Sequence, residues 1–409
     1  MSAPCSTNRL SSISWQTRLM NSSDTIIHGD TDDGFGAVAD AFAANFERHG
    51  ELGAAFSLYV DGTKRVDLWG GIADKATRAP WTDRTLQLVF STTKGAAAIC
   101  VARLVDAGKL SYDDKVSQHW PEFAANGKGD ITVGQMMSHQ AGLIGVDAPL
   151  SFDEIMAVTP VVEALQDQTP MWEPGTAHGY HAITYGWLAG ELVRRVDGRR
   201  IGQFFADEVA APLELDFWIG LPESEEPRVS RIEVLAPPTD PQLIAMMNMF
   251  MGPGTNAYRA LTLDGRIDGF AEGDNPFNTR AVHATEMAAA NGITNAASLA
   301  RMYAATIGEV DGVRLIGSDT MQAARTERVN GPDLTLIVPT RIAAGFWLQS
   351  DVLPMIQEGS FGHAGAGGSL GYANPELGIG YGYVMNQMGG AITGDPRTVA
   401  LNNAVLASL

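Results

Sequence analysis

The chain has 409 residues, a length typical of two domains or of one domain with a large insertion. Hydrophobic residues make up 45% of the chain and charged residues 18%, a composition that argues against disorder over most of its length. Acidic residues outnumber basic ones by 47 to 28, for a formal net charge of −19, so a nucleic acid or an anionic membrane is disfavoured as a partner because both bind basic surfaces. The two cysteines, Cys5 and Cys100, are too few for a disulfide framework or a thiolate metal site.

Residues 1–34 are polar and predict a flexible leader. The start lacks the apolar stretch of about 7–15 residues that marks a secretory signal. No run in the chain approaches the roughly 20 apolar residues of a membrane span. We therefore expect a cytoplasmic protein. Whether residues 1–19 belong to the mature protein, or Met20 is the true start, stays open.

Two helices and a hairpin are predicted in the first quarter of the chain. Helical periodicity predicts a helix over residues 35–49. Residues 55–60 and 66–69 are rich in strand-forming side chains and flank Asp-Gly, which is typical of a hairpin. Residues 92–109 predict a second helix that is apolar almost all round, and such a helix is usually buried. Cys100, inside this helix, is therefore expected to be a small core residue.

The remaining pattern predicts a discontinuous domain. Residues 110–300 are mostly helical, with an exposed acidic loop at 222–227, and short strands return at 341–348, 360–363, 369–373 and 379–385. Strands at both ends with helices between them predict an α/β domain formed by residues 35–90 and 300–409, interrupted by a mainly helical domain, residues 91–299. The active site is expected between the two.

The first nucleophile candidate is Ser91, in the S-x-x-K tetrapeptide Ser91-Thr92-Thr93-Lys94 at the start of the buried helix. Positions i and i+3 share a helix face, so the lysine amine can reach the serine oxygen. The helix start adds positive potential that favours an oxyanion. Burial lowers a lysine pKa, which lets a neutral amine accept the serine proton. On spacing alone, an N-cap serine with a snorkelling lysine is the alternative.

The second candidate is Ser369, in the G-x-S-x-G pattern of residues 367–371. In the nucleophile elbow of α/β-hydrolases, an acid and then a histidine follow the serine along the chain. The last histidine here is His363, so that order is impossible, and a strand rather than a helix follows Ser369. We interpret the glycines as a close backbone approach near a site.

Four segments resemble the motifs of the serine β-lactamase and penicillin-binding-protein superfamily, in the right order. They are the S-x-x-K helix, ITVGQMMSHQAGL at 131–143, WEPGT with the tyrosine segment at 172–186, and FGHAGAGG at 361–368. The likeness is closest to the family VIII carboxylesterases. It implies a β-lactamase/D,D-peptidase-like α/β fold, in which helices and a mainly helical domain flank an antiparallel sheet.

Two departures from class C β-lactamases favour an esterase. Tyr180-His181-Ala182 stands in place of Y-x-N, and His363-Ala364-Gly365 stands in place of K-T-G. No lysine follows Lys128, so no lysine can bind a substrate carboxylate from the third motif. Recognition of an anionic β-lactam should therefore suffer.

The resemblance also implies roles for site residues. Ser91 would form the acyl-enzyme, and Lys94 and Tyr180 would share the roles of general base and general acid. A Lys94 ammonium close to Tyr180 would favour the tyrosine phenolate, so the two groups would titrate as a coupled pair. The oxyanion hole would use the backbone N–H groups of Ser91 and Ala366. Candidate substrate-binding residues are His363, Gly365 and Trp347. His363 could instead be a strand histidine hydrogen-bonded to a backbone carbonyl. For Trp347, packing in the core is favoured over contact with the substrate.

Other conspicuous groups have plainer interpretations. His178 and His181 form H-x-x-H, but no third ligand converges on them, so neither a metal nor another cofactor is expected. Tyr185 is expected to be structural. The methionines of residues 246–251 can wall a substrate pocket, although core filling is the favoured interpretation.

The predicted function is a serine carboxylesterase that hydrolyses short-chain esters. A β-lactamase, D,D-peptidase or acyltransferase of the same fold is the alternative among enzymes. A sensor that is acylated without turnover is the alternative among binding proteins. The expected partner is a small-molecule ester; a homo-oligomer stays open.

Overall fold

The computed structural model describes residues 25–270, 273, 275–391 and 393–409. Cys5, Met20 and most of the predicted leader lie outside these residues. The leader prediction is wrong for its last part, because Ile27–Thr31 forms an edge strand, β1, whose register pairs Ile27 with Gly70 and Thr31 with Val66. This pairing, which local polarity cannot reveal, orders the segment.

A large antiparallel sheet forms the centre of the fold, in the order β1-β3-β2-β13-β12-β11-β10-β9-β8, with β4 paired to β3. Its strands are β1, β2 (Gly53–Val60), β3 (Thr63–Asp74), β4 (Ala79–Pro80), β8 (Val329–Pro332), β9 (Pro339–Ile342), β10 (Trp347–Leu348), β11 (Phe361–Ala364), β12 (Leu370–Asn374) and β13 (Ile379–Met385). A small second sheet joins β5 (Gln87–Leu88), β7 (Ile293–Thr294) and β6 (Phe217–Trp218).

The helices are α1 (Gly36–Arg48), α2 (Thr93–Asp106), α3 (Val116–His119), α4 (Val133–Met137), α5 (Phe152–Met156), α6 (Thr159–Asp167), α7 (Thr184–Asp197), α8 (Ile201–Phe205), α9 (Pro241–Met251), α10 (Asn256–Thr262), α11 (Arg280–Ala284), α12 (Ala296–Ile307), α13 (Ser318–Arg325) and α14 (Pro396–Ser408). Short 3₁₀ or π turns lie between several of them. No helix in the described part of the chain is long and apolar enough to cross a membrane.

Alternation of glycine and tyrosine in β13 explains how helices pack on both faces of the sheet. A Cβ at Gly380 or Gly382 would lie about 2.4–2.5 Å from backbone atoms of α12, so glycine allows this helix to approach closely. Tyr381 and Tyr383 point to the other face, since side chains alternate along a strand. On β12, the hydroxyl of Tyr372 donates to Asn402 of α14 at 2.9 Å.

Most predicted elements are confirmed. α1 and α2 match the two predicted helices, and β2 and β3 form the predicted hairpin, with Asp61 and Gly62 both at positive φ as a type I′ turn requires. The predicted strand 341–348 is interrupted, because Gly345, at φ 88°, turns the backbone away between β9 and β10. The acidic loop is a 3₁₀ turn, Glu223–Arg228. The antiparallel sheet flanked by helices is confirmed; the domain boundaries stay a prediction.

Candidate active site

Ser91 is fixed by the turn that leads into α2. This turn follows β5 and is closed by hydrogen bonds from the Thr92 amide to Val89 O and from the Lys94 amide to Ser91 O. Phe90, immediately before the serine, has φ of 44°, a conformation that typically costs about 1–3 kcal/mol in a residue with a side chain. Its ring packs against that of Phe277, with centroids 4.9 Å apart, which holds it there. Such strain beside a cavity is a common feature of functional sites.

Lys94 is completely buried and contacts three oxygen atoms. Its Nζ lies 3.0 Å from Ser91 Oγ, 2.6 Å from Ala182 O and 3.0 Å from Ala289 O. No carboxylate in the described part of the chain forms an ion pair with it. Burial therefore lowers the Lys94 pKa well below its usual value. A neutral amine has two protons, which match the two carbonyls, and one lone pair, which is left facing the serine hydroxyl.

Tyr180 completes a trio with Ser91 and Lys94. Its hydroxyl hydrogen-bonds with the Ser91 side chain, but burial outweighs this contact and raises the Tyr180 pKa above its usual value. The Lys94 Nζ lies 4.7 Å from the centroid of the Tyr180 ring. Burial of both partners therefore favours the uncharged forms of Lys94 and Tyr180 before substrate binds.

Two residues that the sequence did not single out hold Tyr180 in place. Asp333 Oδ1 accepts from the Tyr180 amide at 3.0 Å. His139 O accepts from the Gly179 amide at 3.1 Å, and His139 Nδ1 accepts from the His181 amide at 3.1 Å. Three consecutive amides are thus bonded around the tyrosine. The signal for His139 was its place in the turn Ser-His-Gln-Ala-Gly, where it takes φ of 64°.

His363 is buried on β11 beside Tyr180, with ring centroids 5.9 Å apart. Its Nδ1 lies 2.6 Å from Ala364 O and must carry the proton, because a carbonyl can only accept. Its buried Nε2 has no partner among the described residues, and the residue lines the cavity in front of Ser91. Burial lowers the His363 pKa to about 3. The structure therefore favours an uncharged His363 at neutral pH.

The other candidate residues divide into those that line the cavity and those that support it. Trp347 does both, since its ring packs 5.4 Å from those of Tyr180 and His363. Ala366 lines the cavity as the first residue of a 3₁₀ turn. Gly365 is not among the lining residues; a Cβ there would lie 2.1 Å from Val89 O, so this glycine lets the third motif approach the serine turn.

Ser369 is held as a structural residue. Its buried Oγ donates to Val89 O at 2.9 Å and lies 3.1 Å from Thr92 Oγ1. It therefore joins the third motif to the turn of Ser91, as the glycine-rich pattern suggested.

The two histidines of H-x-x-H are also separately bonded. His178 Nε2 contacts Thr340 Oγ1 at 2.9 Å, and His181 Nε2 accepts from the Leu143 amide at 2.9 Å. Within the described ranges no group of three or more His, Cys, Asp or Glu side chains is arranged to hold a metal ion.

A cavity of about 940 Å³ opens in front of Ser91 and is lined mainly by apolar side chains. Neither lysine nor arginine is among its lining residues in the described part of the chain, although Asp268 is. The preferred interpretation of residues 246–251 as core filling is wrong: no residue of α9 is buried, and Met246, Met247 and Met251 line this cavity. An apolar helix that covers a cavity has the same composition as one that fills a core.

The chain is similar to known proteins over most of its length. A family model described as β-lactamase matches residues 38–404. The chain is 34% identical over 375 residues to the esterase/β-lactamase LipL of Mycobacterium tuberculosis, which covers 88% of this chain and 83% of that protein.

Two solved structures are similar over 94% of this chain and 100% of their own. One is a family VIII carboxylesterase, at 37% identity with a TM-score of 0.84. The other is a penicillin-binding-protein homologue from Caulobacter crescentus, at 38% identity with a TM-score of 0.82. The chain therefore belongs to the β-lactamase family, as the resemblance predicted, and it is a serine hydrolase.

Proposed function

We propose that this enzyme is a carboxylesterase that hydrolyses uncharged, short-chain esters through an acyl-enzyme on Ser91. The observation that carries the proposal is the contact between Ser91 Oγ and a buried Lys94 whose two remaining partners are carbonyls. This arrangement suits a neutral amine that accepts a proton from the serine. The similar family VIII carboxylesterase and the LipL relative support ester hydrolysis as the reaction.

Acylation begins when Ser91 Oγ attacks the ester carbonyl and its proton passes to Lys94. The backbone N–H groups of Ser91 and Ala366 stabilise the oxyanion, and the start of α2 adds positive potential there. Tyr180 then donates its proton to the leaving alcohol. The ammonium formed on Lys94 favours the resulting phenolate, so the coupled lysine–tyrosine pair belongs to this intermediate rather than to the resting enzyme.

Deacylation returns every proton to its starting group. The Tyr180 phenolate takes a proton from water, and the hydroxide attacks the acyl carbonyl. When this intermediate collapses, the Lys94 ammonium returns its proton to Ser91 Oγ. The net products are a carboxylic acid and an alcohol.

The choice of an uncharged ester rests on the charge of the cavity. A β-lactam brings a carboxylate, and burying an anion without a cationic partner is costly. A neutral His363 and the carboxylate of Asp268 offer no such partner. The cytoplasmic location stays a prediction.

A matched pair of substrates tests this proposal. p-Nitrophenyl butyrate and mono-p-nitrophenyl succinate have acyl chains of the same length, but the second ends in a carboxylate. We expect kcat/KM to favour the butyrate by about tenfold or more, which corresponds to roughly 1.4 kcal/mol. The ratio should stay constant from pH 5.5 to 8, because His363 with a pKa of about 3 remains neutral throughout.

Two results would contradict the proposal. One is equal hydrolysis of the two esters at pH 7. The other is a preference for butyrate that shrinks as the pH falls to 5.5, since a histidine titrating near 6.5 would then become cationic and attract the succinate. A His363→Gln variant, which lacks a titrating group, gives the reference profile.

Replacing Tyr180 with phenylalanine should slow turnover by about 10²–10³-fold, the usual contribution of a general acid or base. With p-nitrophenyl butyrate, whose leaving group needs no proton, acylation should suffer less than deacylation. Stopped-flow measurement should then show a burst of one equivalent of p-nitrophenol before slow turnover.

Tyr185→Phe is the matched control for this variant. The Tyr185 hydroxyl is equally buried and has no hydrogen-bond partner among the described residues. Its removal should leave the rate near that of the wild type. Similar losses in both variants would show that packing, not proton transfer, explains the effect of Tyr180→Phe.

A further inference from the structure

Exposed apolar side chains are concentrated in the segments that line the cavity and in the residues next to them, and we call this set the apolar rim. Its inner members both line the cavity and are exposed: Leu235, Leu243, Met246, Met247 and Phe270. Its outer members are exposed without lining the cavity: Ile244, Met249, Phe250, Leu334, Ile337 and Val338. Together they are 11 of the 15 large apolar side chains exposed in the described part of the chain. Such clustering marks a binding surface, whereas scattered exposed residues do not.

The rim is drawn from four parts of the chain: Leu235, α9, Phe270 and the loop of residues 334–338. α9 supplies most of it, and the loop of residues 334–338 adjoins it through Asn256, at the start of α10, whose side chain donates to Leu334 O at 2.9 Å. Leu336, in the same loop, lines the cavity beside residues of α9. The rim therefore belongs to the entrance that leads to Ser91.

The outer members of the rim cannot contact a single ester molecule that is held inside the cavity. Met249 is 70% exposed, the most of any large apolar side chain described, and it faces solvent beyond the cavity. Only a ligand that extends over the outside of the entrance can contact these residues and the inner ones together. That ligand is a surface rather than one small molecule.

The chemistry of the rim indicates an uncharged surface. Pro241–Met251 contains no charged residue, and the chain carries a net charge of −19 that repels anionic surfaces. A second copy of the chain seated here would close the entrance to its own active site. An aggregated ester bound here would not block the active site, because its own molecules are substrates that can enter the cavity.

We propose that the apolar rim binds the surface of aggregated, uncharged esters, so that the substrates of this site include esters beyond their solubility limit. This inference rests on the proposed esterase function and extends it to a substrate class. Binding buries the apolar side chains of α9 against the ester and places the cavity mouth on the droplet.

Binding is tested first, without turnover. The Ser91→Ala variant of the full chain is mixed with a tributyrin emulsion, and the protein that floats with the droplets is measured. We expect partition that survives 0.5 M NaCl and falls at least fivefold when Met249→Glu and Phe250→Glu are added. Leu406→Glu with Leu409→Glu, which changes two exposed apolar residues outside the rim, is the charge-matched control and should not change partition. Equal flotation of the rim and control variants would overturn the proposal.

Kinetics with the active enzyme form the second test. The rate on tributyrin should rise at least fivefold as its concentration passes the solubility limit, and this rise should be lost in Met249→Glu/Phe250→Glu. Hydrolysis of soluble p-nitrophenyl acetate should stay within twofold of the wild type in the same variant. A wild-type rate that levels off at the solubility limit would overturn the proposal.

Two further outcomes are distinguishable from these. If light scattering shows a dimer that the rim variant converts to a monomer, a second copy covers the rim and the proposal fails. If the wild type hydrolyses neither soluble nor aggregated esters, the proposed function fails, while flotation of the Ser91→Ala variant still reports on the rim.

Discussion

Ser91→Ala should lower kcat/KM for p-nitrophenyl acetate by about 10⁴-fold or more, the order of loss that follows removal of a catalytic nucleophile. The reason is that Ser91 Oγ is the oxygen that lies both 3.0 Å from Lys94 Nζ and within hydrogen-bond reach of Tyr180. Mass spectrometry of the wild type after reaction with a fluorophosphonate should show one adduct, on the peptide containing Ser91, and the variant should show none.

Ser369→Ala is the control, because this serine lies in the other nucleophile-like pattern. Its Oγ is bonded to Val89 O and Thr92 Oγ1, so its loss should cost about 1 kcal/mol of stability and less than tenfold in rate. Full activity in Ser91→Ala with loss in Ser369→Ala would reverse the assignment of the nucleophile.

Lys94→Met should lower kcat/KM by about 10³-fold or more, since methionine has similar volume but cannot accept the serine proton. The measurement is the rate of p-nitrophenol release at pH 7.5, with thermal unfolding followed to show that the variant is folded. Lys128→Met is the matched control: Lys128 is equally buried and donates to Gln168 O, away from the cavity, so the variant should keep its activity even if it is less stable.

The dependence of wild-type activity on pH follows from the protonation of the Lys94 amine. Burial holds the Lys94 pKa well below its usual value, so the neutral, active amine forms at a lower pH than it would in an exposed lysine. Activity should fall as the pH drops through that lowered pKa, because the ammonium cannot accept a proton. A rate that instead keeps rising up to pH 10 would indicate an ordinary lysine and contradict this assignment.

Local spacing allowed the pairing of Ser91 with Lys94 but equally allowed an N-cap serine with a snorkelling lysine, and the resemblance to known motifs was needed to favour the pairing. The i to i+3 relation is compatible with the contact, and an almost wholly apolar helix indicates the burial. Tyr180 lies 86 residues beyond Lys94, so only the resemblance to known motifs could place it. Its supports, His139 and Asp333, come from two further segments, and no spacing in the sequence connects either of them with Tyr180.

The charge of the site could not be read from residue types. His363 is an ordinary histidine in sequence, and its low pKa arises from the side chains that pack around it, including Tyr180 and Trp347. The lowered pKa of Lys94 and the raised pKa of Tyr180 have the same origin. The apolar pattern of α2 already indicated a buried lysine, whereas the burial of Tyr180 and His363 depends on segments that are distant in sequence.

α9 shows that an apolar sequence pattern does not by itself predict burial in the core. Its apolar residues predicted a core helix, whereas the structure leaves all of them at least partly exposed and only some of them line the cavity. Likewise, Ile27–Thr31 is ordered by pairing with β3 and not by its own composition. In both segments the partner surface decides the outcome, and it is distant in sequence.

The most direct test of the account is to measure kcat/KM of the wild type for p-nitrophenyl butyrate and for the chromogenic cephalosporin nitrocefin under the same conditions. With a neutral His363 and no lysine or arginine among the described lining residues, the anionic cephalosporin should be hydrolysed about 100-fold less efficiently than the ester. Nitrocefin hydrolysis as efficient as ester hydrolysis, or more so, would contradict the account and identify the enzyme as a β-lactamase.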